Sequence, residues 1–268
     1  MRAVSCGSWP IGGSTVTAIV TDKFLPTLHS DSRSPDTIMS YDAVLYDNDG
    51  ILTELTDLET LYAGIRRAFR EFEVDDPPAT DVEALANVSL EDLTRICEGH
   101  AISAEQFWPR RDHHASAVQR EVIRAGEKPL YDDVEAIASL EVPQGVVSNN
   151  QQATVDFIVE FFDLEDVFDI VYGREPIVEG LHRKKPNTYY VERAISALDA
   201  EDALFVGDSP ADVLAADRAG VDSAFVRRPH RRDLSLPVTP TFEIEDLHAI
   251  PRLLDGDREE FRPPAGRT

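Results

Sequence analysis

Val44-Leu45-Tyr46-Asp47-Asn48-Asp49-Gly50-Ile51-Leu52 is a short apolar run that ends in two acidic residues spaced two apart and then a glycine. Side chains alternate along extended chain, so a strand that delivers Asp47 and Asp49 to its carboxyl end points both toward one side. Two carboxylates sharing one site repel unless a cation neutralises them. Oxygen-only ligands at this spacing suit a hard divalent ion such as Mg²⁺ better than zinc. Asn, Asp and Gly are also ordinary turn residues, so the string alone leaves a surface turn open. An EF-hand calcium loop starting at Asp47 is excluded, because its sixth position is Leu52 rather than Gly and its twelfth Leu58 rather than Glu.

Beyond this stretch the pattern becomes helical from Asp57 to Gly126, with Leu58, Leu61, Ile65, Ala68, Phe69 and Phe72 at helical spacing. From Tyr131 onward, helices alternate with short apolar runs at 145–147, 168–171, 203–206 and 223–226. Such alternation predicts an α/β fold, a Rossmann-like, mainly parallel sheet with helices on both faces. Residues 41–56 and 129–257 are expected to form this core. Residues 57–128 form a helical insertion after the first strand.

Residues 1–40 are rich in Ser, Thr, Gly and Pro without periodicity, and are expected to be disordered or loosely attached. Met39 is the only methionine after Met1 and a candidate start of translation. Residues 258–268 are expected to fray.

The chain has 268 residues, 42% of them hydrophobic, enough for a substantial core. Its net charge of -24 argues against a nucleic-acid or anionic-membrane surface, which needs clustered positive charge. Of 26 basic residues only Lys23, Lys128, Lys184 and Lys185 are lysines. Acid excess with scarce lysine resembles proteins of salt-accumulating halophilic archaea, where a Debye length of about 3 Å at 1 M screens self-repulsion. The melting temperature is therefore expected to rise between low and molar KCl, and a constant midpoint would remove this reading. Cys6 and Cys97 suggest neither a disulfide framework nor a metal cluster, so a reducing cytoplasm is the expected setting. The early apolar stretch at 16–20 is too short for a membrane span and contains Thr17.

Ligands of open α/β sheets bind beyond the carboxyl ends of the strands, which gives three further stretches a chemical reading. Ser148-Asn149-Asn150 follows one apolar run and leads into a helix expected from Gln151 to Phe162. A hydroxyl and the free N–H groups of a helix start suit a phosphate oxygen, while Ser148 or Asn149 could equally be a cap. Gly207-Asp208-Ser209-Pro210-Ala211-Asp212 follows another; Asp208 could join a metal set with Asp212 one turn behind, and capping is again the alternative. Arg183-Lys184-Lys185-Pro186 holds half the lysines before a helix expected from Asn187, where a lysine is unfavourable to the dipole and invites a functional cause.

Together and in this order, Asp47-Asn48-Asp49-Gly50, Ser148, Lys185-Pro186 and the Gly207–Asp212 segment resemble the four motifs of the haloacid dehalogenase superfamily, over roughly residues 41–226. The resemblance implies a Mg²⁺-dependent hydrolase of phosphomonoesters in which Asp47 is the nucleophile and Asp49 the general acid and base, helped by a raised pKa. It implies metal ligation by the Asp47 carboxylate, the Asp49 carbonyl and Asp208, with Asp212 in support. Ser148, Asn149 and Lys185 would hold the phosphoryl oxygens, Lys185 being preferred over Lys184 because the family lysine commonly precedes proline. Dehalogenase members lack the second acid, so phosphoryl chemistry is favoured. Asn48 at a usually apolar place and Ile51 instead of the frequent threonine depart from the pattern.

The helical insertion resembles the mobile cap of phosphoglycolate phosphatase-like and sugar-phosphate members, and would close over a small phosphorylated metabolite. Arg110, Arg111, His113 and His114, beside Trp108, are its candidate contacts, against a plain solvated helix face. A phosphomutase resembling β-phosphoglucomutase and a catalytically silent metabolite-binding protein are the alternative functions.

Overall fold

The computed structural model describes residues 41–263. The expectations for residues 1–40, including the Met39 start and Cys6, lie outside the described residues. Six parallel strands form one sheet in the order β3-β2-β1-β4-β5-β6. They are β1 (Ala43–Tyr46), β2 (Gln144–Gln151), β3 (Ile170–Arg174), β4 (Ala203–Gly207), β5 (Asp222–Val226) and β6 (Phe242–Ile244). From β1 the chain builds outward through β2 and β3, then returns to β1's other edge and builds β4, β5 and β6. The order therefore reverses between β1 and β4. A crevice opens at the carboxyl ends of the strands at such a point.

β1 is fully buried, as a strand covered on both faces must be. Val44, Tyr46, Val146, Leu204 and Val206 pack on one side against Val155 and Val159 of α5 (Gln152–Phe161) and Ile250 and Leu253 of α9 (Ala249–Leu254). Leu45, Val147 and Phe205 pack on the other side against α7 (Tyr189–Leu198) and α8 (Pro210–Ala219). Two-residue alternation thus splits each apolar run between two cores. Residues 259–261, within the segment expected to fray, form a 3-10 turn whose Phe261 packs against the first core.

Between β1 and β2 lie α1 (Leu58–Arg70), α2 (Ala79–Ala86), α3 (Leu90–Gly99) and α4 (Ala104–Arg124). They enclose a separate core built on Ile65, Phe69, Leu85, Leu93, Phe107 and Trp108. Gly64 lets α1 lie against the α4 backbone, since a Cβ there would meet the His114 carbonyl at 2.9 Å. Leu181, from the short α6 (Gly180–Arg183), joins this core from the sheet side.

Several boundaries differ from the expected ones. The run at 168–171 begins as a strand only at Ile170, and Phe168 instead sits edge-on to Tyr46, ring centroids 6.0 Å apart. β6 was not expected, because three residues are too few to show alternation. β2 continues through Ser148, Asn149 and Asn150 to Gln151, with a register shift against β3 between Val147 and Gln151. A bulge of this kind re-aims side chains beside a site. Gln151, not Ser148 or Asn149, is the residue before α5, so the capping alternative falls away. α7 starts at Tyr189 and Lys184 closes α6, so neither lysine opposes a helix dipole. Among the described residues no helix is long and apolar enough to cross a membrane.

Candidate active site

β1 ends at Tyr46, and the Asp47 N–H donates to the Val206 carbonyl at 2.9 Å, so the chain leaves the sheet between β1 and β4 at the crevice. The Asn48 carbonyl then accepts from the Ile51, Leu52 and Thr53 N–H groups, curling 48–53 into a tight turn. Gly50 is required within it: its φ is +87°, and a Cβ would lie 2.3 Å from Asp208 Oδ2. The turn is clamped by Arg228, two residues beyond β5, which donates to the Gly50 and Ile51 carbonyls and is held by Asp133 through both carboxylate oxygens.

β4 delivers Asp208 beside this turn. Pro210 in the first turn and Ser209 as cap start α8, and Ser209 and Asp212 form a reciprocal capping box. Asp212 is thus both a cap and a member of the site, so the two readings of this residue coexist. Its second oxygen lies 2.7 Å from Lys185 Nζ. Gly207 makes the approach possible, since a Cβ there would come within 2.4 Å of Asp212 Cβ.

Lys185 reaches the same point from the α6–α7 connection. Its buried ammonium lies 2.9 Å from Asp47 Oδ1 and donates to the Val147 carbonyl at 2.8 Å. Asn149 fixes the lysine backbone: its amide donates to the Lys185 carbonyl and accepts the Lys185 N–H, at 3.0 and 2.7 Å. Ser148, buried at the same sheet edge, accepts the Asn150 N–H at 3.2 Å. Lys184 turns elsewhere and donates to the Val88 carbonyl of the helical insertion.

Asp47, Asp208 and Asp212 each offer a carboxylate oxygen, all within 4.8 Å of one another, and all three are buried. Burial, together with Asp212 and Asp208, raises Asp47 to about 7 against the pull of Lys185. Asp208 is raised by burial and Asp212, although His230 at 2.9 Å and Arg231 at 3.0 Å contact it. Carboxylates so crowded, with oxygen the only donor, fit a hard divalent cation. A second close trio, Asp133, Asp246 and His248, differs: Asp246 and His248 are exposed, where all three members of the first are buried.

The Asp49 side chain is not part of the trio. It ion-pairs with the buried ammonium of Lys128, which also donates to Thr56 Oγ1 at 2.7 Å, and it accepts from Asn150 Nδ2 at 2.8 Å. Burial raises its pKa, but Lys128, Asn150 and Asn48 outweigh burial and the net direction is downward. This corrects the expectation of a raised value: the sequence showed the acid but not a lysine 79 residues away on the return from the insertion. Lys128, His230 and Arg231 carried no expectation as site residues, nor did Gln119, whose Oε1 accepts from Asn150 Nδ2 at 2.9 Å. The scarcity of lysine in the chain is the one sequence signal that points toward Lys128.

A cleft of about 470 Å³ extends from Asp49 and Asn150 toward the insertion, where Trp108, Arg111, Arg174 and Lys184 line it. Of the expected insertion contacts, Trp108 and Arg111 reach this cleft. Arg110 and His114 instead pair with Glu71, and His113 lines a different surface depression.

The family model described as haloacid dehalogenase-like hydrolase matches residues 44–226. A curated relative, the pyrophosphatase PpaX of Bacillus cereus (strain ATCC 10987 / NRS 248), is 26% identical over 195 residues, covering 70% of this chain and 84% of the relative. CbbY from Rhodobacter sphaeroides, solved with phosphate, matches 78% of this chain and 96% of its own at a TM-score of 0.60 and 16% identity. A predicted phosphoglycolate phosphatase from Haemophilus somnus 129PT matches 80% and 97% at 0.55 and 19% identity. The two solved structures speak for the fold alone.

Proposed function

The chain belongs to the haloacid dehalogenase-like hydrolase family, and from that premise we propose that it is a Mg²⁺-dependent phosphatase of a small phosphorylated metabolite, of the phosphoglycolate or sugar-phosphate type. The observation that carries the reading is the convergence of Asp47, Asp208, Asp212 and Lys185, from three separate segments, at the point where the strand order reverses.

Asp47 attacks phosphorus: an Asp47 Oδ–P bond forms as the bond from phosphorus to the ester oxygen breaks, and the leaving alcohol takes a proton from Asp49. In the second half Asp49 accepts a proton from water, whose oxygen displaces Asp47 and releases inorganic phosphate. Lys128 holds Asp49 ionised, so in this state it is set for the second half. Donation in the first half requires that contact to loosen. Lys185 and the Ser148 hydroxyl hold the phosphoryl oxygens, and the Asn149 side chain, occupied on both atoms by the Lys185 backbone, keeps that lysine in place. The residues that would hold Mg²⁺ are Asp47, Asp208 and the Asp49 carbonyl, with Asp212 in support. The ion would supply positive charge that lets an anionic phosphoryl group approach an anionic nucleophile. The helical insertion acts as a cap whose closure over the cleft excludes water.

A generic aryl phosphate is expected to be hydrolysed in high KCl, with activity lost in excess chelator and restored by Mg²⁺. Release of inorganic phosphate is the measurement, and full activity in chelator would overturn the metal requirement. Isomerised hexose phosphate without phosphate release would point to a mutase instead.

A further inference from the structure

The cleft has a second polar end, away from the acidic trio. Arg111 of α4, Arg174 at the end of β3 and Lys184 after α6 all line it. The carboxylate bonded to this group is Asp112, which binds Arg174 through both oxygens at 2.7 and 2.8 Å and Arg111 Nη1 at 3.1 Å. The remaining described partners are neutral carbonyls: Leu85 and Ala86 for Arg111, Glu175 for Arg174 and Val88 for Lys184. Three cations thus face one anion, inside a chain whose overall charge is -24.

A purely structural clamp would match its charges, because a buried ion without a counter-ion costs several kcal/mol. This one does not. Arg111 is 3% exposed, and its Nε–H is buried without a partner although the residue lines the cleft. Burial first, and then Arg174 and Arg111, hold Lys184 down to about 8. Trp108 lies under both guanidinium groups, 5.0 and 4.7 Å from its ring, and fixes their planes. The Asp112–Arg174 pair joins α4 to β3, so the two sides of the cleft meet at this point.

We propose that Arg111, Arg174 and Lys184 form a subsite for a second anionic group, a carboxylate or a second phosphoryl, at the far end of the substrate. The proposal rests on the reading of the Asp47 centre as the phosphoryl end. It narrows the substrate to phosphate compounds carrying two separated anionic groups and sets neutral sugar monophosphates aside. Charge-assisted hydrogen bonds from guanidinium and ammonium groups supply the recognition.

The test uses non-hydrolysable phosphonates on the full chain at fixed free Mg²⁺ and fixed KCl, read by calorimetry. Wild-type protein is expected to bind phosphonoacetate about tenfold or more tightly than its neutral amide, phosphonoacetamide. Methylenediphosphonate compares the two tails, and whichever anion binds better names the second group. In K184M the ratio of the two dissociation constants is expected to fall toward one. A wild-type ratio near one, no binding of either phosphonate, or a ratio unchanged in K184M overturns the subsite. Turnover of the generic ester with no anion preference would sink the subsite and leave the phosphatase. A kept preference without turnover would do the reverse.

Discussion

Asp47→Asn is expected to lower kcat on every phosphate ester by about 10⁴-fold or more, because an amide cannot form the covalent phosphoryl bond through which both half-reactions pass. The fold should survive, and the sign of the stability change can be worked out. Asp47 is raised from 3.8 to about 7, mainly by burial, so its ionised form is disfavoured in the native state. The native state therefore loses stability relative to the unfolded chain as pH climbs from about 4 through 7. Asn carries no such charge. Measured in chelator, D47N should melt no lower than wild type at pH 8, and its advantage should shrink toward pH 5. Turnover within tenfold of wild type, with the variant folded, would remove Asp47 as nucleophile.

Lys185→Met should damage both stability and turnover. The ammonium is the cation that touches both Asp47 and Asp212. Burial lowers its pKa, but Asp212 and Asp47 raise it further, for a net upward shift. Its contribution is therefore fully present at neutral pH and is lost only as pH rises through that elevated value. Removing it leaves buried carboxylates facing one another, at a cost of about 3–5 kcal/mol. Denaturant midpoints should show this loss without metal and a partial recovery on adding Mg²⁺. Turnover should fall by about 10²–10³-fold through loss of charge stabilisation at the phosphoryl oxygens. Equal inactivation by K184M and K185M toward a neutral phosphate ester would leave the choice of Lys185 without support, since Lys184 contacts Val88 and not the acidic centre.

The two variants also separate what could be read early from what could not. Asp47, Asp208 and Lys185 were legible because each sits beside a local signal: an apolar run for the first two, a proline for the third. Strand ends point at the crevice of a parallel sheet, so naming the strands almost names the edge of the site. The environment of Asp49 was not legible. Lys128 and Asn150 reach it from 79 and 101 residues away, and they reverse the direction of its pKa. His230 and Arg231 on Asp208 follow a short strand with no motif around them. Arg110 and His114 looked equivalent to Arg111 in the chain, yet helical geometry turns them to Glu71 and only Arg111 into the cleft.

By itself the sequence determined the layered α/β fold, the helical insertion and the carboxylates at the strand ends. These depend on periodicity and on residues close together in the chain. The tertiary structure alone decided which charges meet. It set Lys185 rather than Lys184 against Asp47, gave Asp49 to Lys128, and left Arg111, Arg174 and Lys184 with a single counter-ion. Electrostatic energy depends on distance and burial, and neither quantity exists until strands and helices from distant segments have packed.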